Sequence, residues 1–178
     1  KLLSFAVKET SVFHPDLAKK YPNIKSFSGL SLDGKYRVRL SSSPEGLQSM
    51  IVDVDNHETA FMEQLTNESD MYVVYKKGES AVGKDGFVCS TEKSSSLVGK
   101  TISPLVTDQE LRRFRIAISA SGEYTDFHGG TVAGALAAIN ATLTRINEVF
   151  ETDFGVSLEL VPNNDLIIFT DEASDPYS

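Results

Sequence analysis

At 178 residues the chain has room for one domain, or for a small domain and part of a second. Hydrophobic residues make up 40% of it, enough for a packed core and against global disorder. Its 17 basic and 25 acidic side chains give a formal charge of −8, which argues against phosphate-backbone binding, and no apolar run approaches the roughly 18 residues needed to span a bilayer.

In chain order, Leu2 to Val7 reads as an opening strand and Pro15 to Lys20 as a short helix, with Asp16 in its first turn. Ile24 to Leu32 and Lys35 to Leu40 flank Asp33-Gly34, a strong hairpin signal between alternating runs. After the turn cluster Ser41 to Gly46, three more runs read as strands: Leu47 to Val54, Thr59 to Leu65 and Met71 to Lys76. Short strands joined by polar turns predict an antiparallel meander. From Lys77 to Glu110 the chain is rich in Gly, Ser and Lys without periodicity, the composition of a linker. Phe87-Val88-Cys89 is an apolar island within it.

Periodicity returns at Arg113 to Ala120, where Phe114, Ile116 and Ile118 share one side of a strand. Val132, Leu136, Ile139, Leu143, Ile146 and Phe150 then recur at spacings of three and four, the stripe of a helix of roughly 22 residues, about 33 Å long. Thr144 and Glu148 are expected on its outer face. Gly155 stops it, and Val156 to Val161 and Leu166 to Thr170 read as strands on either side of the turn residues Pro162 to Asp165. A strand–helix–strand crossover with a parallel pair is the expected arrangement. So long an apolar stripe needs a whole sheet to cover it, and the sequence up to Ser178 offers little, so the stripe is expected to stand exposed.

The run FRIAISASGEYTDFHGGTVAGALAAINATLTRINEVFETDFGVSLELVPNND resembles the start of the catalytic domain of secreted bacterial metallopeptidases of the reprolysin/adamalysin-like metzincin group. GEYT after the strand, HGGT opening the helix, TRINEVFETDFG at its end and LVPNNDLIIFTD carry the likeness. Upstream, FHPDLAKKYPNIKSFSG and SSSPEGLQSMIVDV are similar to the propeptide of that group. Together the blocks cover most of the chain, and none is a catalytic signature. The resemblance implies an α+β organisation: a β-rich antiparallel propeptide domain at 1–76, a linker at 77–110, and at 111–178 the opening strand–helix–strand–strand of an incomplete α/β catalytic domain. It also implies secretion, a zinc cofactor and protein substrates in the complete enzyme, where a zinc-activated water hydrolyses the peptide bond with a Glu as general base. The partner it implies is the remainder of the same catalytic domain; the exposed apolar stripe points to a second copy of the chain, and charge and hydropathy to no nucleic acid or membrane.

Metzincins hold zinc with HExxHxxGxxH, in which two histidines one turn apart face the metal and a third follows a glycine turn. This chain has three histidines, His14, His57 and His128, without that spacing. His57-Glu58 is followed by Phe61 and Met62, so no second ligand follows. The segment alone is therefore expected to be inactive, with every catalytic residue beyond Ser178. The chain begins without Met or a signal peptide, so an N-terminal segment is expected to have been removed or left out.

Cys89 is the one cysteine, which rules out an internal disulfide. The resemblance makes it a candidate inhibitory zinc ligand, since a thiolate can fill the one open position of a catalytic zinc site. DGFVCS does not reproduce the PRCGxPD-like latch motif, and the competing reading is a small buried hydrophobe. His128-Gly129-Gly130-Thr131 reads either as a tight turn with Thr131 as helix cap, or as an anion site at a helix N-terminus. Asp53-Asp55 and Asp171-Glu172 lack the dense oxygen spacing of a calcium loop and read as solvated surface. Asn67 and Asn140 match the glycosylation sequon, the latter in mid-helix. The competing reading of the whole chain is a stand-alone secreted binding or inhibitor module.

Overall fold

The computed structural model describes residues 2–65, 71–78, 110–173 and 175–177. Its first part is an antiparallel meander of six strands in sequential order: β1 (Phe5–Glu9), β2 (Lys25–Ser31), β3 (Tyr36–Ser43), β4 (Gly46–Asp53), β5 (Thr59–Gln64) and β6 (Tyr72–Lys76). Between β1 and β2 stands α1 (Pro15–Lys20), which starts at Pro15, where the missing N–H costs nothing. His14 caps α1, its Nδ1 accepting from the Asp16 amide at 3.3 Å.

The second part opens with β7 (Arg112–Ile116), followed by α2 (Gly122–Phe127), α3 (Val132–Phe154) and β8 (Val156–Leu160), which pairs in parallel with β7 from Arg112↔Val156 to Ile116↔Leu160. Thr131 caps α3 by accepting from the Gly134 amide at 3.0 Å, and Gly155 ends it in the left-handed conformation (φ 62°). The chain is thus α+β, antiparallel and β-rich first, then strand–helix–strand. The strand expected at Leu166 to Thr170 is instead a 3-10 turn (Asn164–Ile167), with one bridge from Ile168 to Ala120. The side chain of Asn164 is the cause. It accepts from the Ile118 amide and donates to the Ile118 carbonyl, both at 2.8 Å, so an amide side chain takes the ladder position a strand would occupy.

One hydrophobic core joins the two parts. Leu136, Ile139 and Leu143 of α3 and Leu160 of β8 pack with Val12, Phe13, Leu17 and Ile24 from around α1. Burial of each such side chain contributes about 1.5–3 kcal/mol. The stripe of α3 is therefore not left open, as the sequence suggests; the N-terminal segment covers it. The expectation that Thr144 and Glu148 face outward is also overturned, since they are 3% and 4% exposed. Helix α3 lies between two layers, its apolar side on β8 and the α1 segment and its polar side on the six-stranded sheet.

Candidate functional site

The chemistry of the molecule concentrates where that polar side meets the sheet. Asn140, Thr144, Glu148 and Glu151 follow one another at spacings of four, four and three and so share a face of α3. On β3, Arg37 and Arg39 share a face because they are two residues apart. Arg39 Nε donates to Glu148 at 2.7 Å, Arg37 donates to the other oxygen of the same carboxylate, and Arg39 also donates to Glu151. Burial acts to lower the Arg39 pKa, and its hydrogen bonds and charge contacts with Glu151 and Glu148 more than offset this and raise it above the ordinary value.

Further contacts extend this line in both directions. Ser26 Oγ donates to Asn140 Oδ1 at 2.8 Å, and Asn140 Nδ2 donates to the Lys25 carbonyl at 3.3 Å. Arg145 donates to Glu63 at 2.8 Å and to Gln48 at 3.1 Å, with its guanidinium 5.3 Å from the centre of the Phe61 ring. Below α3, the seam between the two parts opens into a cleft of about 730 Å³ lined by Thr10, Phe13, Arg39, Arg113, Asn147 and Glu159, among others. Arg113 pairs with Glu159 there at 2.9 Å.

The sheet of β7 and β8 has two unlike edges. The Arg112 amide bonds Gly155 at 2.8 Å and the Val161 amide bonds Ile116 at 3.0 Å. Even-numbered residues of β7 therefore face β8, and Arg113 and Arg115 turn their backbone groups to the opposite edge, where no described strand lies. Phe114 is 54% exposed beside it. The outer edge of β8 is occupied. Asn147 bonds both backbone groups of Leu158, at 2.9 and 2.8 Å, and Leu160 pairs with the backbone of Val12 and His14.

The three histidines serve local structure on separate elements. His14 caps α1, His57 lies in the β4–β5 turn with φ 56°, and His128 ends α2 against Tyr124 and Phe127, where burial lowers its pKa. No group of three or more His, Cys, Asp or Glu among the described residues is placed to hold a metal. These residues do not fit a zinc site. Cys89 lies outside the described residues, as does Asn67.

The remaining candidates resolve into turn and helix chemistry. Asp53 accepts from the amides of Asn56 and Asp55, both at 2.9 Å, and these bonds, that of Asn56 first, lower its pKa. Because β4 ends at Asp53, Asp55 lies in the turn that follows it. Asp171 bonds the Ala173 amide at 3.0 Å. Gly129 and Gly130 both adopt positive φ, so HGGT forms the tight turn into capped α3. The glycine of GEYT is fixed by proximity. A side chain on Gly122 would run into the backbone of Asp171 and Glu172, while its amide donates to Asp175 at 2.7 Å. Asn140 is 2% exposed, which removes its sequon from reach. Sequence reasoning missed Arg37, Arg39, Glu151 and the two strand-mimicking asparagines; the readable signal was the second, polar stripe from Asn140 to Glu151.

The second part of the chain is thus a parallel strand pair with one edge unpaired by any described strand, backed by a long helix. Residues 111–178 match the family described as metallo-peptidase family M12B, reprolysin-like, and this segment is similar to those metallopeptidases. Neither the curated proteins nor the solved structures yield a match to the chain. Among the described residues no helix is long and apolar enough to cross a membrane.

Proposed function

We propose that the chain is the propeptide and the first part of the catalytic domain of a secreted zinc metalloendopeptidase, with residues 1–76 keeping the precursor latent and assisting its folding. The match of residues 111–178 to reprolysin-like metallopeptidases carries this reading. The edge of β7 that no described strand pairs supports it. Parallel sheets are normally covered and extended on both sides, and two strands alone are marginal, so that edge suits the remaining strands of a larger domain. Zinc and the hydrolysis of protein substrates belong to the longer enzyme, in which the zinc-binding histidines of HExxHxxGxxH would follow Ser178.

The test is the coding sequence downstream of Ser178. It should encode HExxHxxGxxH, and the longer protein should cleave a denatured polypeptide, lose that activity to a chelator and regain it with zinc. Absence of the motif overturns the proposal. Cys89 is proposed as the ligand that keeps the zinc site closed; a full-length Cys89→Ser protein should then leak activity or mature early without losing its fold, and unchanged latency would refute the role. The covered stripe of α3 gives the competing reading, a stand-alone binding or inhibitor module, its one support, because the chain buries that face by itself. The downstream sequence separates the two.

A further inference from the structure

Residues 1–76 are fastened to residues 111–178 by two ties of different chemistry. The first is the sheet on α3: Arg37 and Arg39 against Glu148, Arg39 against Glu151, Arg145 against Glu63 and Gln48, Ser26 against Asn140. Nearly every group in it would be well solvated if the surfaces parted, which is the chemistry of a contact between separable partners. The second tie is apolar. Val12, Phe13, Leu17 and Ile24 are all buried against Leu136, Leu143 and Leu160. Alongside them the chain adds to the outer edge of β8: the Leu160 amide donates to the Val12 carbonyl at 2.7 Å and the His14 amide to the Leu160 carbonyl at 2.9 Å. An extended segment that pairs by backbone and seats side chains in a core is how a bound peptide joins a sheet. The residues named in these two ties lie within 12–63 and 136–160.

We infer that residues 1–76 are a non-covalent ligand of the segment 111–178, which remains seated after the chain between them is cut and is held chiefly by Val12–Ile24 and not by the ion pairs of the sheet. The reason is the difference in solvent response. Arg39 and Glu148 are largely buried, so the cost of desolvating their charges offsets much of their attraction, and parting returns those charges to water at small net cost. Salt further weakens the more exposed Arg145–Glu63 pair. Buried apolar side chains gain nothing from parting, and added salt does not loosen them. The inference deepens the precursor reading and rests on it for its biological consequence: cleavage alone would not uncover α3 or the edge of β8, and a further step, such as degradation of the N-terminal region, would have to remove it.

The experiment uses the full chain with a site-specific protease sequence placed between Lys77 and Glu110, cut and then analysed by size exclusion with mass spectrometry. Both pieces should elute together, at low salt and at molar sodium chloride alike. Separation at low salt overturns the inference; separation only at high salt overturns the assignment to Val12–Ile24 and gives the hold to the ion pairs. On dilution of the cut protein, Phe13→Ala should weaken the pair at least tenfold more than Arg37→Ala, and the reverse order overturns the assignment. If Phe13→Ala does not fold, the salt series on the unsubstituted protein decides alone. The readout is mass and not activity, so a downstream sequence lacking the zinc motif would leave this result standing, and separation of the pieces would leave the metallopeptidase reading standing.

Discussion

The six-stranded sheet and the β7–β8 pair obey different rules, although they share one helix. In the meander each strand pairs with its neighbour in sequence, as in Ser43↔Gly46 and Val52↔Thr59, so turn chemistry and alternation suffice to build it. In the second sheet Arg112 must find Val156 across the whole of α2 and α3, and the pair becomes stable only when other groups complete it. Asn147, Asn164 and the Val12–His14 backbone supply those groups. Locally specified structure tolerates a polar face, and non-local structure depends on apolar packing. Helix α3 shows both at once: Leu136 and Leu143 face the second sheet, Thr144 and Glu148 the first.

Four measurements can break or sharpen this contrast. Leu143→Ala, on the apolar side, should cost about 2–5 kcal/mol in urea unfolding, as large-to-small core changes do. Glu148→Ala, on the polar side, should cost about 1–3 kcal/mol by taking the carboxylate from Arg37 and leaving Arg39 with Glu151 alone. A cost near that of an exposed ion pair, under about 1 kcal/mol, would mean that the sheet does not press on α3 in solution. Thr144→Ala removes a buried hydroxyl that donates to the Asn140 carbonyl at 2.6 Å, and should cost about 0.5–1.5 kcal/mol by thermal melting. If Thr144→Ala matched Leu143→Ala, the two faces of the helix would not differ as described.

The smallest effect belongs to His128. Burial lowers its pKa below the ordinary 6.5, so the folded state binds its proton less readily than the unfolded chain. Its contribution to stability is therefore full above pH 6.5 and falls as pH drops through the lower folded value. An NMR titration of the imidazole should give a midpoint below 6.5, and a midpoint above it would contradict the placement of the ring against Tyr124 and Phe127.

Elements with a local cause are legible in the amino-acid sequence. Asp33-Gly34 announces the β2–β3 hairpin, Pro15-Asp16 the start of α1, and the stripe from Val132 to Phe150 with Gly155 the length of α3. The likeness of residues 111–178 to reprolysin-like metallopeptidases is legible too, and within its motifs Gly122, Thr131 and Asn164 stand where the local geometry suits those residues. The tertiary structure alone decides what lies on each side of α3. A single hydrophobic stripe marks one buried face, whereas Arg37, Arg39, Glu148 and Glu151 look like solvated charge until a strand and a helix more than a hundred residues apart bring them together. Leu166 to Thr170 fails as a strand for the same reason. Its apolar pattern is a strand's, yet the ladder position beside Ile118 is already filled by a side chain, and pattern carries no record of which backbone groups are already paired.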